Sequence, residues 1–239
     1  MNSTIKKEFQ KLFAELPNQH FKNEKLNVFS VKRSAQFNNN LMVVGPYIIG
    51  AHNDCRFESR HISQIGDHLI TMLEKHEGAM SWVADMEDPR RKVAPNERRF
   101  STRRVPFWRV SRQVAIKSNQ TTEVCWSDQI AWTNLYKISK EDKHPSQELL
   151  DFQLQSAITI LHQEIKDAKP KYILFLTGWE NWAQDFIGSN MKDITIINQN
   201  DVCLKGTLII DDFSCNVIVA ETANGKRESV MAEEILKHI

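Results

Sequence analysis

Three consecutive polar residues, His52, Asn53 and Asp54, follow an apolar segment that ends at Gly45. A carboxylate next to an imidazole can act as a general base and orient an attacking water, so these side chains are candidate catalytic residues. The same triplet would also make a good polar turn, because Asn and Asp side chains accept hydrogen bonds from nearby backbone amides. The residues alone leave both interpretations open.

Two further candidate binding positions also follow apolar segments. Asn134 comes after residues 130–133, and its amide offers a donor and an acceptor together. A strand-end asparagine can also cap backbone groups without any ligand. Thr177, Gly178 and Trp179 end a second apolar segment, where the indole either lines a pocket or anchors a short helix on the sheet.

Basic residues are concentrated in one segment. Residues 90–117 contain ten basic side chains and one acidic side chain, although the formal net charge of the whole chain is only +1. Lys and Arg supply most phosphate contacts, and aromatic residues such as Phe107 and Trp108 can stack on bases. Alternatively, these arginines pair with the acidic remainder of this protein or with a partner. The candidate nucleic-acid-binding residues are Arg98, Arg99, Arg103, Arg104, Arg109 and Lys226.

The spacing of the ligating residues argues against metal and disulfide chemistry. His52, Asp54 and His61 lack the spacing of zinc motifs, so we expect no metal and no cofactor. The four cysteines are far apart and form no CxxC pair, which predicts reduced, mostly buried thiols. A small-molecule hydrolase is a weaker alternative, because the chain has no Gly-x-Ser-x-Gly elbow.

Composition and hydropathy place the chain among ordinary globular proteins. It has 239 residues, of which 41% are hydrophobic and 26% charged. No apolar run approaches the roughly 18 residues that a membrane span needs. The amphipathic N-terminal segment carries charges where a secretory signal would be continuously apolar. We therefore expect a cytoplasmic protein with no membrane partner.

Alternating strands and helices would position the candidate residues. Apolar periodicity predicts helices at 3–15, 62–77, 108–117, 146–168 and from 228, and strands at 41–45, 130–135, 172–178 and 216–220. Residues 194–197 and 206–210 are expected to form a hairpin, whereas 18–40 and 85–105 indicate connections. The alternation predicts a single α/β domain over 1–239, with an N-terminal helix and connection at 1–40 and a core at 41–239. In such a sheet, ligands bind at the carboxyl ends of the strands.

The order of these motifs resembles the uracil-DNA glycosylase superfamily over about residues 41–239. The matching pieces are Val43-Val44-Gly45, Pro106-Phe107-Trp108-Arg109, Trp132-Thr133-Asn134-Leu135-Tyr136-Lys137, Glu164-Ile165 through Lys169-Pro170, and Phe175-Leu176-Thr177-Gly178. The resemblance implies a three-layer αβα sandwich with a mainly parallel central sheet. It also implies an activity that flips a base out of nucleic acid and hydrolyses its N-glycosidic bond.

The resemblance also implies roles for individual residues. In the family, the loop after the first strand positions the attacking water and carries an aromatic residue for stacking. The resemblance therefore implies Asp54 as the water-positioning residue and Tyr47 as the stacking residue. An asparagine at the end of a central strand reads the uracil edge, and Asn134 stands in the matching place. The implied substrate-binding residues are Asn134, Tyr47, Thr177, Gly178, Trp179 and Thr222.

The final family motif is a His-Pro loop before the last helix, whose histidine stabilises the charge that develops on the base. Residues 221–226 stand in that place without a histidine, so Thr222 can offer only a neutral hydrogen bond. Loss of one charge-stabilising donor typically costs about a hundredfold or more in rate. The triplet His144-Pro145-Ser146 precedes the long helix, and we interpret it as a helix start.

Two functions follow from the resemblance. The first is a uracil-DNA glycosylase-like protein that binds nucleic acid, a nucleobase or a nucleotide and hydrolyses an N-glycosidic bond, as in DNA repair. The second is a catalytically inactive binding module on the same fold, which the missing histidine favours. Enzymatic activity, the bound base and the oligomeric state stay open at this point.

Overall fold

The computed structural model describes residues 1–16, 25–47, 56–58, 62–75, 80, 82–83, 101–119, 126–140 and 144–239. The chain divides into two compact units, each built from three segments. Unit 1 comprises Met1–Val31, Gly45–Glu77 and Thr133–Lys169. Unit 2 comprises Lys32–Val44, Gly78–Trp132 and Pro170–Ile239.

Helices and strands alternate along much of the described chain. The helices are α1 (Ser3–Glu15), α2 (Ile62–Lys75), α3 (Pro106–Asn119), α4 (Gln147–Ala168), α5 (Gln184–Ile187) and α6 (Glu228–Leu236). The strands are β1 (Lys25–Val28), β2 (Lys32–Arg33), β3 (Leu41–Gly45), β4 (Arg56–Glu58), β5 (Ile130–Asn134), β6 (Ile138–Lys140), β7 (Tyr172–Leu176), β8 (Met191–Gln199), β9 (Val202–Ile210) and β10 (Phe213–Ala220). A 3-10 turn covers Thr102–Arg104, and a π-helical turn covers Trp179–Ala183.

Unit 1 packs helices α1, α2 and α4 around a small antiparallel sheet with the strand order β4-β1-β6. One face of β1 and β6 enters the core through Leu26, Val28 and Ile138, which pack in one cluster with apolar side chains of the three helices. Because side chains alternate along a strand, Asn27 and Ser139 lie on the other face of this sheet.

The ends of α1 and α4 have clear chemical causes. The Asn2 side chain caps α1 by accepting a hydrogen bond from the Thr4 amide at 2.9 Å. Helix α4 ends where Lys169 adopts a left-handed conformation (φ 49°), directly before Pro170, which cannot continue a helix. The predicted long helix is therefore confirmed, with its apolar positions buried along one side.

A larger, mixed sheet has the strand order β2-β5-β3-β7-β10-β9-β8. Strand β7 runs parallel to both β3 and β10, whereas β9 is antiparallel to β10 and β8, and β2 is antiparallel to β5. Strands β3 and β5 are buried along their full length, as their continuous apolar sequences require. The chain is thus an α/β protein with a mixed seven-stranded sheet.

Most predicted elements are found close to their predicted bounds, including the hairpin, which β8 and β9 form. Residues 25–28 and 32–33 are strands within a stretch that the sequence pattern indicates as connection. Most of the predicted loop at 85–105 lies outside the described residues. No helix in the described part of the chain is long and apolar enough to cross a membrane.

Two glycines provide a test of the packing. A Cβ at Gly206 of β9 would lie 2.7 Å from Met191 Cε and 2.8 Å from the Lys192 carbonyl oxygen, and the backbone atom cannot move aside cheaply. Gly206→Ala should therefore lower the free energy of unfolding by about 1–3 kcal/mol in urea denaturation.

The matched control is Gly66→Ala in α2, where the added Cβ would make ordinary contacts with Phe13, at 3.6 Å from Cδ2 and 3.7 Å from Cβ. This change should raise the free energy of unfolding by about 0.5–1 kcal/mol, because alanine is the better residue inside a helix. Equal effects of the two substitutions would contradict the described packing of β8 on β9.

Candidate functional site

A buried ion pair lies at the carboxyl end of β5. The Lys137 ammonium is 2.6 Å from Glu164 Oε2, and both side chains are fully buried. The same carboxylate oxygen accepts a hydrogen bond from Thr133 Oγ1 at 2.6 Å. Its other oxygen accepts hydrogen bonds from the Val31 amide at 2.8 Å and the Ser30 hydroxyl at 3.2 Å. Glu164 thereby joins α4 to two separate segments of unit 1.

Lys137 fixes the turn that follows β5. Besides Glu164, its ammonium donates to Thr133 Oγ1 at 2.9 Å and to the Asn134 carbonyl oxygen at 2.7 Å, so all three N–H groups have partners. Burial lowers the pKa of Lys137, and the charge of Glu164 together with its hydrogen bond opposes that shift. The backbone of Asn134 is therefore held by a charged group that is itself fixed in the core.

Gln153 of α4 completes the support. Its Oε1 accepts hydrogen bonds from the amides of Lys137 and Ile138, both at 2.8 Å. Its Nε2 donates to the Ile138 carbonyl at 2.7 Å and to the Leu149 carbonyl at 3.1 Å. A single buried amide thus uses its full hydrogen-bonding capacity to fix the start of β6 against α4.

Asn134 lies next to the Lys137–Glu164 pair, because its carbonyl oxygen accepts a hydrogen bond from the Lys137 ammonium. The residue is only 2% exposed, yet Nδ2 has no hydrogen-bond partner among the described residues. The next two residues run beside the end of β3, since Leu135 N donates to Gly45 O at 2.8 Å and Tyr136 N donates to Pro46 O at 3.0 Å. Asn134 and the residues that follow β3 therefore lie together, as the expected meeting of strand ends requires.

Tyr47 forms a pair that the sequence analysis missed. Its hydroxyl and His144 Nδ1 are hydrogen-bonded, and the two rings meet edge to face with centroids 5.6 Å apart. Partial burial raises the pKa of Tyr47. His144 does precede α4, as the helix-start interpretation expects, but it also contacts the residue that follows β3. No spacing rule would have predicted this, because the two residues are 97 positions apart.

In unit 2, the candidates Thr177, Gly178 and Thr222 lie at the ends of the neighbouring strands β7 and β10. The amides of Thr177 and Gly178 both donate to the Ala220 carbonyl, at 3.2 and 2.9 Å. Gly178 has φ 81°, and a Cβ there would lie 3.4 Å from Glu221 Oε2. The Trp179 candidate begins the π-helical turn directly after this contact.

Glu221 is the central group of this second cluster. Cys203 Sγ is 3.4 Å from Glu221 Oε1, and burial together with the nearby carboxylates raises the pKa of Cys203 to about 12. The Glu221 amide donates to Asp201 O at 2.8 Å, and Asp201 Oδ1 accepts from Lys226 Nζ at 2.8 Å. The loop that lacks a histidine thus holds a carboxylate. Its position directly after an apolar strand was the signal that could have identified Glu221.

The basic candidates have different surroundings. Arg103 and Arg104 are exposed in the 3-10 turn, which Thr102 anchors through a hydrogen bond of 2.9 Å to the Val83 carbonyl. Arg109 forms an ion pair with Glu228, and Lys226 forms one with Asp201. These two basic residues therefore pair with acidic residues of this protein, which is the alternative to nucleic-acid binding. Five candidates lie outside the described residues: His52, Asn53, Asp54, Arg98 and Arg99.

Comparisons with known proteins add no assignment. No family model matches this sequence, and no significant match is found among curated proteins. Within the described ranges, no group of three or more His, Cys, Asp or Glu side chains could hold a metal ion. A functional interpretation therefore depends on the geometry of the Asn134 region and of the Glu221 cluster.

The buried pair predicts a large stability effect. Glu164→Gln should lower the free energy of unfolding by about 3–5 kcal/mol, because it leaves the Lys137 charge buried without a counterion. Glu148→Gln, at an exposed position in the first turn of the same helix, should lower it by no more than about 1 kcal/mol, because an exposed carboxylate there contributes only this much through the helix dipole and surface contacts. Urea denaturation followed by circular dichroism measures both.

The double replacement Lys137→Met with Glu164→Leu should recover only part of the loss, because no charge then remains in the core but the buried Val31 amide loses its acceptor. A Glu164→Gln protein as stable as Glu148→Gln would contradict the assignment of this pair as the support of the β5 end.

Proposed function

We propose that this protein is a uracil-DNA glycosylase-like nucleobase-binding protein in which Asn134 reads the edge of the base. The observation that carries the proposal is the enclosed Asn134 amide with an unused donor, next to the residues that follow β3. An amide offers a donor and an acceptor together, which matches the imide edge of uracil. The function rests on this match and on the motif resemblance around residues 132–137.

The energetics support a role for the free donor. A buried amide N–H without a partner costs about 1–3 kcal/mol, and proteins rarely leave one without a reason. The Lys137–Glu164 pair and Gln153 restrict the backbone on both sides of Asn134. A donor held in this way is preorganised, so little conformational entropy is lost when a base binds.

Binding without hydrolysis is the second candidate, and Glu221 favours it. In the proposed correspondence, residues 221–226 replace the loop whose histidine would stabilise negative charge on the departing base. In place of a histidine this loop carries the Glu221 carboxylate beside Gly178, and a carboxylate cannot stabilise negative charge. Hydrolysis would depend on Asp54 as the residue that orients the water, with His52 and Asn53 beside it.

The mixed sheet would be the centre of a three-layer αβα sandwich, and its parallel strands β3, β7 and β10 would form the part shared with the glycosylase-like fold. The protein would act in the cytoplasm on a nucleotide or on nucleic acid. The resemblance implies Tyr47 and Asn134 of unit 1 as substrate-binding residues, and it also implies Thr177, Gly178, Trp179 and Thr222 of unit 2.

Asn134→Ala should abolish measurable uracil and 2′-deoxyuridine binding, since the substitution removes both groups that read the base. Isothermal titration calorimetry measures the affinity, and urea denaturation checks that the variant is folded. The matched control is Asn38→Ala at an exposed position, which should bind like the wild type. If the wild type binds and Asn134→Ala binds equally well, Asn134 does not read the base.

Contact with nucleic acid would come from the exposed arginines of the 3-10 turn. Binding of single-stranded DNA should weaken steeply as salt rises, and Arg103→Ala with Arg104→Ala should make the logarithmic salt slope shallower by about 1.4 if each arginine contacts one phosphate. Arg109→Ala should change the slope less, because its guanidinium already pairs with Glu228. Fluorescence anisotropy at several salt concentrations measures these slopes, and an unchanged slope in the double variant would count against this contact.

A further inference from the structure

An aromatic cluster in unit 2 combines two buried indoles with two partly exposed rings. Trp108 of α3 and Trp132 of β5 are only 4% and 6% exposed, and their ring centroids are 4.8 Å apart. Trp82 contacts both indoles, at centroid distances of 5.6 and 5.7 Å, and Phe107 contacts the same two at 5.0 and 6.4 Å. Trp82 and Phe107 are only partly buried, so each keeps some exposed surface. The two partly exposed rings therefore share one buried support.

The 3-10 turn Thr102–Arg104 lies beside these rings. It directly precedes α3, whose second residue is Phe107. Its first residue, Thr102, donates a hydrogen bond of 2.9 Å to the carbonyl oxygen of Val83, the residue next to Trp82. The turn is therefore tied to both of the segments that carry the partly exposed rings.

The charge of this region is positive. Arg103 and Arg104 are exposed, and neither guanidinium has an ion-pair or hydrogen-bond partner among the described residues. The segments that build the cluster, 82–83, 101–119 and 126–132, contain five basic residues and one acidic residue, Asp128. Arg109 is already paired with Glu228, so the two arginines of the turn are the cations available beside the rings. An excess of cations at an exposed surface favours an anionic partner.

The two kinds of group together define the ligand. An exposed aromatic ring stacks on a base whatever its sequence, and a guanidinium contacts a phosphate. The bases of a duplex are already stacked on one another, whereas a single strand can offer a free base face.

We propose that Trp82 and Phe107 form a base-stacking position of unit 2, at which a base of single-stranded DNA lies against their rings while the flanking phosphates contact Arg103 and Arg104. Trp108, which the sequence also indicates for stacking, is buried and supports these rings instead. The choice of DNA and the phosphate contacts rest on the proposed function. The stacking position itself rests on the aromatic geometry and needs no contribution from Asn134.

The test compares an oligothymidylate with an abasic oligonucleotide of the same length, which keeps the phosphates but has no bases. Phe107→Leu and Trp82→Leu keep an apolar side chain and lose the ring, so each should weaken oligothymidylate binding about tenfold. Binding of the abasic chain and the salt slope should both stay as in the wild type, because a ring forms no ion pair. Phe107→Tyr and Trp82→Phe keep a ring and should bind oligothymidylate nearly as the wild type does. Fluorescence anisotropy measures all of these affinities.

The matched control is Phe213→Leu, at a partly buried phenylalanine of unit 2 on β10, three strands from β5 in the large sheet. It should bind both oligonucleotides like the wild type. Equal losses for the two oligonucleotides in Phe107→Leu would leave the ring only a packing role and overturn the stacking position.

The wild type alone separates the stacking position from the rest of the proposed function. If it binds oligothymidylate no more tightly than the abasic chain, the stacking position is wrong and the arginine contact stands. If it binds neither, both are wrong, whereas uracil binding by Asn134 is decided by its own titration. An oligouridylate bound more tightly than oligothymidylate would overturn the choice of DNA.

Discussion

The buried ion pair between Lys137 and Glu164 is the interaction on which the organisation of unit 1 depends. Removing two charges from water is costly, and their attraction compensates only when the remaining hydrogen-bonding capacity is also used. Here it is used: the carboxylate receives four hydrogen bonds and the ammonium donates three. Because few other arrangements would satisfy these groups, the pair fixes α4, Val31 and the end of β5 relative to one another.

This fixed support explains how polar groups without partners can persist nearby. Asn134, Asn27 and Ser139 each carry a polar atom without a partner among the described residues, whereas Lys137, Glu164 and Gln153 of the same unit are fully hydrogen-bonded. Proteins depart from local satisfaction mainly at functional sites and compensate elsewhere. This contrast within one unit supports the proposal that a ligand is recognised there.

Sequence reasoning predicted the parts of the fold that have strong local patterns. Strands β3 and β7 are continuous apolar runs, and α4 has clear helical spacing. Strand β1 was missed because its four residues lie within a polar, Asn-rich stretch and are too few for a clear alternating pattern. Its partner strand β6 lies more than a hundred positions away. Glu164 lies three residues after buried Leu161 on the core side of α4, a signal for a buried carboxylate, but its partner Lys137 could be identified only from tertiary structure.

We propose that the Asn134 side-chain amide, supported by the buried pair, binds a nucleobase. The most direct measurement is a uracil titration of ¹⁵N-labelled protein, with the Asn134 amide resonances assigned by substitution. We expect a saturable shift of the Asn134 Nδ2 resonances, whereas the side-chain amide resonances of exposed Asn38 should not move. Asn134 resonances that stay in place at saturating uracil, while other amides shift, would contradict it.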